Sequence, residues 1–342
     1  MKETLGIFAF SCLSLLTASA FAAAPAWLDT AVSAEAAHTV EMRRHLHANP
    51  ELGNQEKQTQ AYIVQKLKEF GVDEVLVGYK NSSTAVIGVI NPKKDNAIGL
   101  RADIDALPIK ENTGLAFESK AKGQMWGKMS DVSHMCGHDM HMAMLLSAAR
   151  ILAAHKVDVP RKVVLVFQPA EEGDSITNPF VSDKPKLSGA RALVEDGLLE
   201  QFGIKQMYGI HVMARVPAGK MLVAQGTALN SADAFQIDIE GRQAHGAMPW
   251  TGVDATLTAA QTVVALQQIV SRNVNLTQGM GVITVGKLQA GGDGKRDGGL
   301  CLDARHDSRQ PQRHSQQASG AHPSSCRRYG PSIRCDCKDE TH

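Results

Sequence analysis

Cysteine is scarce where this chain is best patterned. After Cys12, which lies inside an N-terminal apolar run, the only cysteine before Cys301 is Cys136. That excludes a disulfide framework for the residues between, because Cys136 has no neighbour to pair with. Aromatic residues are few, at 5%, which argues against a platform for stacking nucleic-acid bases. An excess of one charge is also missing. The net charge is +1, so nothing electrostatic favours nucleic acid or an anionic membrane as partner. Beyond the N-terminus no apolar run approaches the about 18 residues that a membrane span needs.

The one long apolar run, "LGIFAFSCLSLLTASAFA", follows Lys2 and ends in small residues before Pro25. Ala20 and Ala22 offer a cleavage site, so residues 1–22 read as a signal peptide and the protein as exported, periplasmic or secreted. After cleavage no membrane association is expected. The 342 residues, 43% of them hydrophobic, suffice for one large domain or two ordinary ones.

Helical spacing predicts helices over 29–47, 55–70 and 141–154. Short apolar or β-branched runs predict strands at 84–90, 97–102, 162–167 and 206–212, with "NPKKDN" as a turn between the first two. "KVVLVF" is continuously apolar, as in a strand buried on both faces. Alternating strands and helices indicate an α/β fold with a largely parallel sheet. A second unit begins near Pro217, with a strand at 233–241, a helix at 254–272 and a strand at 281–288. From Gly291 onward the only aliphatic residues beyond alanine are Leu300, Leu302 and Ile333, so residues 291–342 are expected to be disordered.

Against this background "HMCGHDMH", residues 134–141, concentrates three histidines, a cysteine and an aspartate. Such a cluster can bind metal, move protons or cap a helix. Three predicted strands end in similar chemistry: Asp103 and Asp105 after one, Glu171 and Glu172 after the most buried one, and His211 in the third. Sites in open α/β sheets form at strand ends, so these signals converge on one crevice. Thiolate, imidazole and carboxylate form a borderline-soft set suited to Zn, Mn, Co or Ni. Adjacent glutamates suit divided labour, one on the metal and one free as general base, which is the layout of metal-assisted hydrolysis.

Six segments in order, "RRHLHANPELGNQEKQT", "RADIDALP", "HMCGHDMHMAMLL", "FQPAEEG", "GIHV" and "GRQAHGAMP", resemble the M20 family of metallopeptidases. The resemblance is greatest to its amidohydrolases of N-acyl amino acids, the hippurate and auxin-conjugate hydrolases among them. It implies a mostly parallel-sheet catalytic domain (25–216) and a smaller inserted α+β lid domain (217–290). It implies Cys136, His138, Glu172 and His211 as metal ligands and Glu171 as general base. Asp103 would orient a ligand histidine, and His245 would contact substrate or oxyanion. His134, Asp139 and His141 are left with supporting or helix-start roles. The implied cofactor is one or two divalent ions per chain, Zn or Mn ahead of Co or Ni. The implied partners are a small N-acyl amino acid or peptide substrate and a second copy of the chain docked through the lid.

The family pattern stops near residue 290. In the family the chain then completes both domains and brings one more metal-binding histidine. The expectation is thus a chain truncated or frame-shifted there, with both domains incomplete. The rival readings are a non-catalytic remnant and a dipeptidase or aminopeptidase of the same family.

Overall fold

The computed structural model describes residues 24–182, 186–214, 216–223, 231–277, 279–290, 298–306 and 333–336. The signal-peptide reading of 1–22 lies outside them. No helix among the described residues is long and apolar enough to cross a membrane.

The first unit runs α1 (Leu28–Ala48), α2 (Lys57–Glu69), β1 (Glu74–Tyr79), β2 (Ser82–Ile90), β3 (Ala97–Asp103), β4 (Lys122–Met125), β5 (Lys128–Asp131), α3 (His138–Ala154), β6 (Val163–Gln168), α4 (Gly189–Glu195), α5 (Leu198–Phe202) and β7 (Ile204–Gly209). Five strands form one sheet in the order β1-β2-β6-β3-β7. β6, β3 and β7 run parallel, while β2 is antiparallel to both β1 and β6. Four of the five strands therefore point the same way. "NPKKDN" does not close a hairpin, because β6 lies between β2 and β3.

β6 shows why the sheet is central. All six of its residues are buried. Val163, Leu165 and Phe167 pack on one face against Met42 and Leu46 of α1, Ile63 and Leu67 of α2, and Leu145 and Leu146 of α3. Val164 and Val166 pack on the other face against Leu193, Leu198 and Phe202 of α4 and α5. Period-two alternation feeds both cores from one strand, and each large side chain removed from water contributes about 1.5–3 kcal/mol. β4 and β5 form a separate two-stranded hairpin.

The second unit comprises β8 (Ser231–Ile239), α6 (Ala255–Gln268), β9 (Gly281–Ala290), β10 (Gly298–His306) and β11 (Ile333–Asp336). Its sheet has the order β11-β8-β10-β9. Phe235, Ile237 and Ile239 pack against Ala259, Leu266 and Ile269. The side chain of Asp254 caps α6 by accepting from Leu257 N–H at 2.8 Å, and a π-helical turn, Ile269–Asn273, ends the helix early.

β10 and β11 are extended segments within 291–342, the stretch expected to be disordered. β10 is antiparallel to both β8 and β9, so the β8–α6–β9 unit is a split one with β10 in its slot. Such a slot presents backbone N–H and C=O groups on both sides. An extended segment satisfies them whatever its apolar content. The two strands fall where the tail's few aliphatic residues lie, Leu300 and Leu302 in β10 and Ile333 in β11. The rest of that expectation falls outside the described residues.

Candidate metal centre

Because β3, β6 and β7 are parallel, their C-terminal ends share one edge of the sheet. β3 delivers Asp103 at its last residue and Asp105 just beyond. β6 is followed by Pro169, Ala170, Glu171 and Glu172. β7 ends at Gly209, two residues before His211, so His211 sits on the loop past the strand and not in it. The fourth contribution is the start of α3. Gly137 is its N-cap at φ 92°, with Cys136 before it and His138 as the first helical residue. A Cβ at Gly137 would lie 2.3 Å from Cγ2 of Val212. The left-handed backbone and the close approach of the His211 loop both require glycine there.

His138 is the hub. Its Nδ1–H donates to the backbone carbonyl of Asp105 at 2.8 Å, with Asp105 Oδ1 at 3.3 Å. Its Nε2 lies 3.8 Å from Glu171 Oε2, 3.9 Å from Glu172 Oε1 and 3.5 Å from Asp103 Oδ2. That Nε2 is buried and without a hydrogen-bond partner. Cys136 is free, and its Sγ lies 3.4 Å from His211 Nε2. The Nδ1–H of His211 donates to the Val212 carbonyl at 2.7 Å. Both histidines therefore use Nδ1–H on a backbone oxygen and turn Nε2 inward, the tautomer in which an imidazole ligates metal. Cys136, His138 and His211 form one group with ligand atoms within 4.8 Å of one another, and His138, Glu171 and Glu172 form a second. Asp103, His138 and His141 form a third.

The electrostatics favour a cation. Burial works to discharge His138, but Asp105, Cys136 and Asp103 outweigh it and hold its pKa at about 11. Burial and repulsion from Glu171 push the carboxyl of Glu172 up. His138 works to lower the Cys136 thiol, yet burial and the nearby Glu172 leave it above the ordinary value. These are the signs of too much negative charge for the positive charge present, which a divalent ion bound to the same atoms would relieve. The donor set and its orphaned nitrogen thus fit a metal.

The four residues expected as ligands and the expected base are brought together. Asp103 was expected to orient a ligand histidine. It accepts from His141 Nδ1–H at 2.6 Å and from Arg101 at 2.8 Å. Asp105 takes the place behind His138, because its carbonyl and carboxyl are what meet Nδ1. Burial opposes the charge on Asp103, but the hydrogen bond from His141 and the nearby His138 lower its pKa. His141 Nε2 accepts from Val212 N–H at 2.9 Å, so Asp103 and His141 fix the loop carrying His211. Asp139, the second residue of α3, accepts from Arg43 at 2.7 Å and from His47 at 2.8 Å. His134 is buried, and burial lowers its pKa to about 4. His245 lies apart on the second unit, exposed, with its Nδ1 accepting from Ala247 N–H at 3.1 Å.

A Cys/His/Glu cluster around the buried His138, at the parallel strand ends of an α/β sheet, defines a protein built to hold divalent metal. Comparison with known proteins names the kind. Residues 99–290, more than half of the chain, match the model of peptidase family M20/M25/M40, and the chain belongs to that family. It is 40% identical over 252 residues to the N-acetyl-L-cysteine deacetylase of Bacillus subtilis, covering 74% of this chain and 54% of that protein. It is 39% identical over 252 residues to the hippurate hydrolase of Campylobacter jejuni, covering 73% and 59%. The chain thus spans between half and three fifths of the length of these two relatives. Among solved structures, a putative aminohydrolase from methicillin-resistant Staphylococcus aureus aligns at TM-score 0.67 and 29% identity, covering 90% of this chain and 74% of that one. A dinuclear metal-binding peptidase of the M20 family from Bacillus subtilis aligns at TM-score 0.62 and 28% identity, covering 90% and 75%.

Proposed function

We propose that this protein hydrolyses the amide bond of N-acyl amino acids, using divalent metal held by Cys136, His138, Glu172 and His211, with Glu171 as general base. The observation that carries the reading is the convergence of two adjacent carboxylates on one orphaned imidazole nitrogen, 3.8 and 3.9 Å away. The named activities of the deacetylase and hippurate hydrolase relatives support the substrate class. A bound ion, Zn or Mn, would supply Lewis acidity toward the substrate carbonyl and toward water.

The two glutamates divide the remaining work. Glu172 is the less exposed side chain, at 25%, and its backbone N–H is tied to Asp105 Oδ2 at 2.8 Å, which suits a fixed ligand. Glu171 is 37% exposed. It has room to take a proton from attacking water and to return it to the departing amine nitrogen. For His245 we propose a contact with substrate, and for the second unit a role in pairing two copies. We also propose export, directed by residues 1–22.

The test is hydrolysis by the full chain of N-acetyl and N-benzoyl amino acids and of dipeptides, with Zn or Mn and after chelation. Metal-dependent release of amino acid, faster from the acylated compounds, is expected. Faster cleavage of dipeptides would favour a peptidase, and no metal-dependent release would overturn the reading.

A further inference from the structure

The turn that carries both glutamates is unusual in what holds it. Ala170 has φ 50°, a left-handed conformation that a side chain disfavours. It is kept there by contacts from residues 53–56, far away in sequence. The carbonyl of Gly53 accepts from Ser175 N–H at 3.3 Å. Asn54 Nδ2 donates to Asp174 Oδ1 at 2.9 Å, and Gln55 Nε2 donates to Ser175 Oγ. Gly53 packs against Ala170, and Glu56 hydrogen-bonds the head of the turn. Its Oε1 accepts from Ala170 N–H at 2.9 Å and its Oε2 from Thr84 Oγ1 at 2.7 Å, and the residue is 0% exposed. On the far side of Glu171, the N–H of Glu172 is fixed by Asp105. The residues that present the base and one ligand are thus clamped between two buried carboxyl groups.

We infer that Glu56 is a positioning residue of the metal centre, whose hydrogen bond to Ala170 N–H sets where Glu171 and Glu172 stand. This rests on the ligand and base roles proposed above. Without that bond a strained backbone position loses its restraint, and the two carboxylates that follow lose their common aim at His138. Burial and the facing Asp105 raise the pKa of Glu56, which works against its charged form. The bond then needs shape and an acceptor oxygen, not charge, and glutamine supplies both.

The experiment is titration of the metal-free full chain with Co²⁺, followed by its visible spectrum, alongside thermal unfolding. Glu56→Ala should weaken Co²⁺ binding by about 10-fold or more, the scale of lost supporting contacts at metal sites. Glu56→Gln should restore affinity to within about 2-fold of the parent. Thr84→Val removes only the other partner of the carboxyl, so it should lower the unfolding temperature and leave Co²⁺ affinity unchanged. Should Glu56→Ala not fold, Glu56→Asp draws the carboxyl back by one methylene and should give the same loss. The inference is overturned if Glu56→Ala or Glu56→Asp binds Co²⁺ like the parent, if Glu56→Gln binds as weakly as Glu56→Ala, or if Thr84→Val loses affinity in step with stability. A parent chain that binds no Co²⁺ would instead overturn the metal reading, and this inference with it.

Discussion

Glu171 and Glu172 carry the same side chain at adjacent positions, yet their surroundings separate them. The more enclosed Glu172 is tied through its backbone to Asp105, while Glu171 is the more exposed. Glu171→Gln keeps shape and removes the base, so turnover should fall by ~100-fold with Co²⁺ binding nearly unchanged, whereas Glu172→Gln should weaken binding itself. Steady-state kinetics beside metal titration would settle the assignment, and the opposite pairing of effects would exchange the two roles. Cys136 offers a second check. Its Sγ faces His211 Nε2 at 3.4 Å, so bound metal should shield the thiol from alkylation and chelation should expose it. Equal labelling rates would mean that the thiol is not a ligand. Cys136, His138, Glu171, Glu172 and His211 were legible in the sequence as one cluster because ligand chemistry stands out beside apolar strand ends. Glu56 was not, and neither were the particular contacts of Asp105 and His141, although both were singled out as ligand-type residues. Their roles depend on which backbone group each side chain meets after folding, and neither spacing nor composition records that. Asp103 and Asp105 are two residues apart, at and just past the end of β3, and only the structure says which lies behind His138.

At the scale of elements, α1 and α3 are joined by a buried charged network. His47, near the end of α1, contacts Asp139 of α3 at 2.8 Å and Glu111 at 3.0 Å, and Arg43 reaches the same Asp139. The hydrogen bond to Asp139 chiefly raises the pKa of His47, with Glu111 helping against the effect of burial. For Asp139 and Glu111, burial works against ionisation, but the bonds from His47 outweigh it and lower both pKa values. A raised histidine stabilises fully below its unfolded value near 6.5 and loses that contribution as pH rises through the folded value. Lowered carboxylates stabilise above about pH 4 and lose it on acidification. The network is therefore strongest between about pH 4.5 and 6.5. His47→Leu should cost ~3 kcal/mol at pH 5.5 and less at pH 8.5, measured by urea unfolding. A penalty independent of pH would mean that His47 is not charged in the fold. α1, α2, α3 and α6 were readable from their helical spacing, and β2, β3, β6, β8 and β9 from short apolar or alternating runs, whereas β1, α4 and α5 were not predicted. β4 and β5 were missed because "KGQM" and "KMSD" are short, polar and without alternation. The order that places β6 between β2 and β3 was missed because strand neighbours are chosen by contacts distant in sequence.

At the scale of the molecule, every proposed ligand lies in the first unit, and the two units do not share a core. Leu146 and Phe167 belong to a cluster around the five-stranded sheet, while Ile237 and Leu266 belong to one under α6. Metal bound at the strand ends should therefore stabilise the first unit and leave the second alone. At 100 times its dissociation constant a ligand adds about 2.7 kcal/mol to the unit that binds it. Calorimetry should show one transition rising with Co²⁺ and another that does not move. Ile237→Ala removes a side chain that is 0% exposed. It should cost about 2–5 kcal/mol in the second transition only, leaving Co²⁺ affinity within about 2-fold. Leu146→Ala, on the buried face of α3, should lower the metal-sensitive transition instead. If Co²⁺ raised a single transition, and Ile237→Ala lowered that same one, the two sheets would be folding as one cooperative body. The second unit would then carry part of the free energy that holds the metal centre in place.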